Sequence, residues 1–294
     1  MDGMYSFLCD ILNDTGILGR PVPLEECRII KPYLLQRQGI EPSGGGTVFM
    51  LAVPYLLPQE AKSGERNLSL YAISRDYHLF FEGLSKEILP LLTQRYPNAH
   101  FGLFADHSPI DEVDAAGRAR LGVKGKNGLL ITKEYGSFVF LGEIVTDVKI
   151  EIDHGEYIPQ GQPLPECLNC GRCALACPAG CIGHDKSECL SSLTQKKGEF
   201  NEEEREKIKA HGLVWGCDTC QLVCPHNTGA LKSETNHAVD FFKNNVISTL
   251  SAQIIDTMPD GEFSMRAYSW RGRDVIKRNI ELHINKEKEG GQCF

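Results

Sequence analysis

The chain of 294 residues lacks long apolar runs and a basic N-terminal segment. Its apolar stretch Thr47–Leu57 is shorter than the roughly 20 residues that cross a bilayer, and Pro54 interrupts it, which argues against a membrane-spanning helix. The opening residues, MDGMYSFLCDILNDTG, carry Asp2 and Asp10 and have no basic region of a secretory signal. We therefore expect a cytoplasmic protein whose thiols are reduced.

An excess of positive charge is also missing, because the net charge is −8. Proteins that bind nucleic acids usually carry a basic footprint, so any contact with RNA must depend on a local patch. A solvated helix face explains such charges at least as well. The candidate patches are Lys196-Lys197 and the set Arg266, Arg271, Arg273, Lys277 and Arg278.

What the chain does have is cysteine, with twelve residues. The first group reads C-x2-C-x2-C-x3-C-P, which is the spacing of a bacterial ferredoxin-type iron–sulfur motif. A partial copy, C-x2-C-x3-C-P, follows about 40 residues later, and one more cysteine lies between the groups. The eight candidate ligands are Cys167, Cys170, Cys173, Cys177, Cys189, Cys217, Cys220 and Cys224.

Eight thiolates are enough for two [4Fe–4S] clusters. In the ferredoxin-type run the fourth cysteine ligates the other cluster, so we expect crossed ligation. One cluster is assigned Cys167, Cys170, Cys173 and Cys224, and the other is assigned Cys177, Cys189, Cys217 and Cys220.

Zinc is the main alternative for these thiols, because C-x2-C pairs also build tetrahedral sites. Three cysteines within seven residues suit a cubane better. A disulfide framework is the weakest alternative, because a chain of this length can form its core without covalent links. Cys9, Cys27, Cys181 and Cys293 stay unassigned; ordinary packed or surface thiols explain them, and Cys181 is close enough to Cys177 to be a spare ligand.

Hydrophobic patterning predicts strands and helices that alternate in the first half of the chain. One amphipathic helix is predicted over Leu68–Tyr96, kinked at Pro90, and Ser108-Pro109 resembles a helix start with serine as the N-cap. An exposed helix is predicted over Glu199–Lys209. The predicted strands are Thr47–Val53, His100–Ala105, Gly128–Thr132 and Ser137–Val145, the last two joined by a turn.

These elements predict an α+β fold in three consecutive segments. Residues 1–150 are expected to form an α/β sandwich around a central sheet. Residues 151–230 are expected to form a ferredoxin-like module built around its two clusters. Residues 231–294 are expected to form closing helices and a frayed tail.

Several short motifs outside the first cysteine group form a more specific set. With them, the chain from about Gly46 to His283 resembles the epoxyqueuosine reductase family, which are iron–sulfur and cobalamin enzymes that complete the queuosine modification of tRNA. The motifs are Arg75-Asp76-Tyr77-His78, Ala105-Asp106-His107-Ser108-Pro109, Gly122-Val123-Lys124-Gly125-Lys126-Asn127, Phe140-Leu141-Gly142-Glu143-Ile144, Cys189-Leu190-Ser191-Ser192-Leu193-Thr194 and Gly216-Cys217-Asp218-x-Cys220-Gln221.

The resemblance implies that two clusters pass single electrons to a base-off cobalamin in the sandwich segment, and that reduced cobalt acts on an epoxide carbon. Asp106 aligns with the family's catalytic aspartate and is implied to protonate the departing oxygen. A carboxyl group serves as an acid near neutral pH only if burial raises its pKa. From the residues alone, Asp106 is equally well explained as a capping carboxylate before Ser108.

The resemblance also implies cobalamin contacts at Asn127, Leu130, Leu141, Ser191, Gly216 and Asp218. Core packing explains the two leucines equally well. The loop Asp-x-His-x-x-Gly is absent from the chain, so no protein ligand to cobalt is expected. The implied partners are tRNA and a low-potential electron donor protein, and no membrane partner is expected.

Three departures from the family pattern keep other functions open. His107-Ser108 replaces Thr-Gly, His226 stands where the family favours Trp, and the chain is expected to be a short form without the helical-repeat extension of longer relatives. One alternative is a cobalamin-dependent reductase of a small molecule. Another is a two-cluster electron-transfer protein without a corrinoid, although such a carrier needs no sandwich segment.

Overall fold

The computed structural model describes residues 3–289, and they divide into two compact units. The first unit contains the chain up to Tyr55, then Tyr77–Asn169 and His237–Val239. The second contains Leu56–Asp76, Cys170–Asn236 and the chain from Asp240 onward. Each unit therefore combines segments that are separate in the sequence, unlike the three consecutive segments expected above.

The mixed α+β class is confirmed. The helices, in chain order, are α1 (Gly3–Leu12), α2 (Pro32–Gln36), α3 (Pro58–Lys62), α4 (Tyr77–Arg95), α5 (Glu112–Arg118), α6 (Arg172–Ala176), α7 (Leu190–Thr194), α8 (Glu202–His211), α9 (Thr219–Leu222), α10 (Thr228–Lys232), α11 (Asp240–Lys243), α12 (Ala252–Thr257), α13 (Asp260–Phe263) and α14 (Arg273–Glu289). Short 3₁₀ turns lie at Leu24–Glu26, Leu70–Ala72, Lys186–Glu188, Pro225–Asn227 and Ser269–Arg271. The strands are β1 (Leu18–Pro23), β2 (Thr47–Pro54), β3 (Phe101–Phe104), β4 (Val123–Lys124), β5 (Leu130–Ile131) and β6 (Val139–Thr146). Within the described residues, none of these helices has the length and apolar character to cross a bilayer.

The first unit is built on an antiparallel sheet with strand order β1-β2-β6-β3. All eight residues of β2 are buried, because helices and loops cover both faces of this central strand. Helix α5 packs on the face that carries Met50, while Phe81 of α4 lies against Gly142 on the other face. Glu143 is paired with Met50 and Phe104, so a carboxyl group lies in the middle of the sheet.

Two helix starts differ from the sequence prediction. The long helix begins at Tyr77 and not at Leu68, because the backbone N–H groups of Ser69 and Leu70 donate to distant acceptors in the second unit. Helix α5 begins at Glu112 with Asp111 as its N-cap, whose side chain accepts a hydrogen bond from the N–H of Asp114 (3.1 Å). The predicted kink residue Pro90 does lie inside α4.

The strands predicted at Gly128–Thr132 and Ser137–Val145 exist in shortened form but are not a paired hairpin. Strand β5 pairs with β4 in a separate two-stranded sheet, whereas β6 joins the main sheet. A single bridge between Thr132 and Gly136 links the two segments. The short turn between them therefore redirects the chain from one sheet to the other.

The second unit surrounds its cysteine-rich segment with short helices. The predicted helix over Glu199–Lys209 is confirmed as α8, and Asn201 and Glu204 form a capping box at its start. The side chain of Asn279 on α14 donates to the carbonyls of Thr194 (2.7 Å) and Val214 (2.8 Å). The backbone of α14 is helical to Glu289, although the frayed tail was expected to begin at Lys286. Cys293 lies outside the described residues.

Candidate functional site

The first unit contains a cavity of roughly 190 Å³ with an acidic side and an apolar side. Strand β6 and the start of β5 supply apolar walls, and the turn after β3 together with the first turn of α5 supplies carboxyl groups. The ring of Tyr77 stacks on Phe140, with ring centres 4.4 Å apart and planes 13° apart. The lining residues are Tyr77, Asp106, Glu112, Val113, Leu129, Leu130, Ser137, Val139, Phe140 and Leu141.

Asp106 lies in the turn between β3 and α5, and its backbone is left-handed, with φ of 63°. Aspartate tolerates this region better than most residues. Its backbone N–H donates to Oε1 of Glu112 (3.1 Å), which holds the turn against α5. The side chain is 68% exposed, and its Oδ2 lies 3.5 Å from Nε2 of His78 on α4.

The hydrogen bond from His78 is the main cause that lowers the pKa of Asp106, and its effect exceeds the opposite effect of burial. The charges of Lys31 and His107 act in the same direction. In this arrangement Asp106 is ionised near neutral pH. The condition for an acid role, a net rise of its pKa through burial, is therefore not met in this arrangement.

The neighbouring His107 is held by two side chains on the surface of the same unit. Its Nδ1 lies 3.2 Å from Nζ of Lys31, and its Nε2 lies 3.3 Å from the hydroxyl of Tyr33. Both contacts come from the segment around the start of α2. They fix the imidazole that follows Asp106 and place a cation close to the acidic turn.

Two carboxyl groups that sequence reasoning missed lie beneath Asp106. Glu143 is completely buried, its Oε1 lies 2.5 Å from Oγ of Ser108, and its Oε2 has no hydrogen-bond partner among the described residues. Burial raises the pKa of Glu143 well above its ordinary value and raises the pKa of Glu112 to about 7. The signal in the sequence was a glutamate within the apolar run Phe140–Val145, because an unpaired buried charge is costly.

The eight candidate cluster ligands lie on loops and on the ends of short helices. Cys167 belongs to the first unit, where its N–H donates to the carbonyl of Lys124 (3.2 Å), and the other seven belong to the second unit. Within the second unit, α6 carries Cys173 and ends before Cys177, and it packs against α9, which carries Cys220. This packing brings the two cysteine motifs together, as clusters with shared motifs require.

The described thiols form neither a disulfide nor a closely grouped site for a single ion. No disulfide joins any cysteine within 3–289. Among the same residues, no three His, Cys, Asp or Glu side chains converge closely enough to hold one metal ion, as a tetrahedral zinc site would require. In a cubane the four thiolates bind different irons, so they stand farther apart than the ligands of a single ion.

Cys181, left unassigned by the sequence, is a buried thiol beside the cluster ligands of the second unit. Its Sγ lies 3.6 Å from Sγ of Cys177. The charges of Cys177 and Cys189 both act on it, so it lies near both side chains. Cys27 is buried in the core of the first unit, and Cys9 is partly buried on α1.

The residues implied to contact cobalamin fall into both units. In the first unit Leu130 and Leu141 line the cavity, and Oδ1 of Asn127 accepts a hydrogen bond from the N–H of Leu129 (3.3 Å). The apolar wall suits the edge of a flat macrocycle. The cavity is smaller than the ~300–1,000 Å³ of pockets that enclose whole ligands, so it would take only part of one.

In the second unit the implied contacts are tightly bound within the protein. The buried carboxylate of Asp218 accepts hydrogen bonds from Arg66 Nη1 (2.6 Å), from Ser69 Oγ (2.6 Å) and from the N–H of Leu70 (3.0 Å). These bonds fasten the segment 66–70 to the cysteine loop. The Ser191 hydroxyl shares a hydrogen bond with the buried phenol of Tyr71.

Gly216 precedes the second cysteine motif and cannot carry a side chain. Its φ is +77°, and a Cβ there would lie 2.4 Å from Cβ of Ser69. Its N–H donates to Oγ1 of Thr194 (2.9 Å). The glycine therefore lets the loop pack closely against Ser69. Because glycine has no side chain, a ligand could contact it only through its backbone.

The basic side chains near the C-terminal helix make contacts within the protein. Arg266 pairs with Glu262, Arg273 donates to the carbonyls of Ile255 and Met258, Lys277 pairs with Asp256, and Arg278 lies over the ring of Phe200. Arg271 stacks on the exposed Trp270, 3.7 Å from the ring centre. Lys196 pairs with Glu204 (2.8 Å). These contacts support the structural explanation of the charges.

Comparisons with known proteins agree with the cysteine pattern and with the fold. The family described as "4Fe-4S double cluster binding domain" matches residues 166–227. An epoxyqueuosine reductase of Lactococcus garvieae is 33% identical over 247 residues, which are 80% of this chain and 67% of that protein. In other curated relatives, the matched segment covers between 41% and 72% of the relative's own length.

Solved structures show the same fold. The structure of epoxyqueuosine reductase from Streptococcus thermophilus superposes with a TM-score of 0.73 at 26% identity, and covers 96% of this chain and 81% of that one. A second epoxyqueuosine reductase, crystallised with an epoxyqueuosine-modified tRNA-Tyr stem loop, superposes with a TM-score of 0.70. It is 22% identical, with 96% of this chain and 80% of that chain covered, so it supports the fold alone.

Proposed function

The chain belongs to the epoxyqueuosine reductase family, and on this basis we propose that it is an iron–sulfur and cobalamin-dependent reductase that converts epoxyqueuosine to queuosine in tRNA. One observation carries the proposal: the same chain contains a double-cluster cysteine module and a cavity lined by carboxyl groups and apolar side chains. The cavity offers protons, and the module offers electrons. A reductive removal of oxygen needs both.

The eight cysteines named above would hold two [4Fe–4S] clusters, with the crossed ligation expected from the motif. The short α6 and α9 segments position both motifs within the second unit. Bound cobalamin would supply a low-valent cobalt that is both a strong nucleophile and a reductant. Leu130 and Leu141 offer it an apolar surface, and the remaining proposed contacts are Asn127, Ser191 and the backbone at Gly216 and Asp218.

Asp106 would deliver a proton to the departing epoxide oxygen. Paired with His78 it is ionised, so the acid role requires the carboxyl group to leave this partner and enter the cavity that it lines. Inside the cavity, the loss of the hydrogen bond and the deeper burial would both raise its pKa. The side chain of Asp106 is 68% exposed, so it has room to rotate about its own bonds while the backbone of the turn stays anchored.

The substrate and the partners are part of the proposal. Transfer RNA is favoured because a family member binds a modified tRNA stem loop. A low-potential electron donor protein would reduce the clusters, and a cytoplasmic location would suit both partners. Reduction of a small molecule remains the alternative, because the basic side chains near α14 are engaged in protein contacts.

The deciding experiment follows the modification itself in tRNA from a strain that lacks the gene. Epoxyqueuosine should accumulate, and the purified, anaerobically reconstituted protein should convert it to queuosine when a reductant and cobalamin are present. Normal queuosine in the deletion strain would remove the tRNA substrate. The protein should also hold about eight irons, and about four irons, or zinc, would contradict the two-cluster assignment.

A further inference from the structure

The hydrogen bonds around Ser108 assign a proton to Glu143. The serine hydroxyl has one hydrogen, and it makes three contacts: it accepts from the N–H of Ile110 (3.0 Å), lies 3.0 Å from the carbonyl of Ile110, and lies 2.5 Å from Oε1 of Glu143. A carbonyl only accepts, so the serine hydrogen goes to Ile110 when all three contacts are hydrogen bonds. The hydrogen in the short contact then belongs to Glu143.

The surroundings of Glu143 also favour the neutral carboxyl group. It is fully buried in the central strand β6, and its Oε2 has no partner among the described residues. An ionised carboxylate would leave that oxygen unsolvated in the core, which costs far more than burying an acid. The neutral Glu143 therefore anchors the turn that carries Asp106 through Ser108.

Glu112 lies between this buried acid and the cavity. It lines the cavity with Asp106, and its Oε1 accepts the hydrogen bond from the Asp106 N–H. The groups that face it are Asp106, Lys31 and His78, and those that face Glu143 include Glu112 and Cys27. Burial together with the charge of Asp106 favours the protonated form of Glu112 near neutral pH.

The chemistry of the proposed function requires more than one proton. When an epoxide loses its oxygen, both C–O bonds break, a C=C bond forms, and the oxygen leaves as water. This balance consumes two electrons, which the proposed cofactors supply, and two protons. One aspartate delivers one proton in each turnover, so a second donor is needed at the same oxygen.

We propose that Glu112 is this second proton donor, and that neutral Glu143 is a positioning residue that holds the Asp106 turn against it. The inference rests on the proposed function for its reaction and on the cavity for its geometry. Asp106 and Glu112 occupy one cavity from two directions, the turn and α5, so a single oxygen can meet both. Glu112 then regains its proton from solvent between turnovers.

The test compares Glu112→Gln with the wild type and with Glu87→Gln, a control at an exposed position on α4. Glutamine still accepts the hydrogen bond of Asp106 but cannot act as an acid, so the turn keeps its anchor. Conversion of epoxyqueuosine in tRNA should fall by roughly 100-fold or more, as for loss of a general acid. In the wild type the rate should decline as the pH rises through about 7, and this decline should disappear in Glu112→Gln.

Infrared spectroscopy of the protein without substrate separates the two proposals. The wild type should show a protonated-carboxyl band that titrates near neutral pH and that is absent from Glu112→Gln but present in Glu87→Gln. A missing band, or an unchanged rate and pH profile in Glu112→Gln, overturns the role of Glu112. If the wild type converts no substrate while the band is present, the proposed function fails and the donor role fails with it, although the protonated state of Glu112 stands.

Discussion

The replacement of Glu143 by Gln should change how the stability of the protein depends on pH. Burial raises the pKa of Glu143 well above its ordinary value, so the unfolded chain releases this proton at a lower pH than the folded protein does. Rising pH therefore favours unfolding of the wild type. The free energy of unfolding should fall by about 1.4 kcal/mol per pH unit between the ordinary glutamate pKa and the raised one.

Glutamine has nearly the same shape, and its amide can donate to Ser108 as the neutral acid does. Near pH 5 the two proteins should therefore have similar stability. Above the ordinary glutamate pKa and as far as the raised one, the variant should gain about 1.4 kcal/mol per pH unit relative to the wild type. Burial of Glu143 thus lowers the free energy of unfolding of the wild type at neutral pH.

Equilibrium urea unfolding of both anaerobically reconstituted proteins, followed by circular dichroism, measures this difference. The clusters contribute equally to the free energies of unfolding of the two proteins, so their contribution cancels in the difference. Glu87→Gln, at an exposed position on α4, serves as the matched control. A constant difference for Glu143→Gln over the same range would mean that Glu143 is ionised in the folded protein and would refute the reasoning.

Four further outcomes are expected. Asp106→Asn should abolish conversion while iron content and cobalamin binding stay intact, and full activity would contradict the acid role. His78→Gln should raise the pKa of Asp106, because the histidine hydrogen bond lowers it, and the limb of the rate profile on which conversion falls as the pH rises measures the shift. Gly216→Ala should lower the melting temperature by an amount equivalent to roughly 1–3 kcal/mol, since both φ and the packing oppose a Cβ. Iron analysis should find fewer irons in Cys189→Ala and about eight in Cys181→Ala; loss of iron in the second variant would make Cys181 a ligand.

The local pattern of the chain was enough to predict several features. The spacing of the cysteines indicates two clusters, because ligand geometry is repeated at short intervals that do not depend on the rest of the fold. The apolar run from Thr47 predicts a buried strand, and β2 is one of the two interior strands of the sheet. The exposed helix after Asn201 was predicted from its charged residues, and the structure adds a capping box at its start.

Other features depend on partners that are distant in the sequence. The helical pattern from Leu68 is overridden because Asp218, some 150 residues away, binds the N–H of Leu70, and the helix begins only at Tyr77. Ser108 looked like a helix cap, yet its hydroxyl is turned to Glu143 on another strand. Such long-range hydrogen bonds leave no signal in the local periodicity.

The sequence by itself determined the chemistry that is available, namely eight thiols at cluster spacing and an aspartate in a family motif. Only the tertiary structure decided the protonation of the carboxyl groups. Asp106 is exposed beside His78, which lowers its pKa, while Glu112 and Glu143 are buried, which raises theirs. The reason is that the pKa of a carboxyl group follows its solvation and its neighbours in space, and neither is set by its position along the chain.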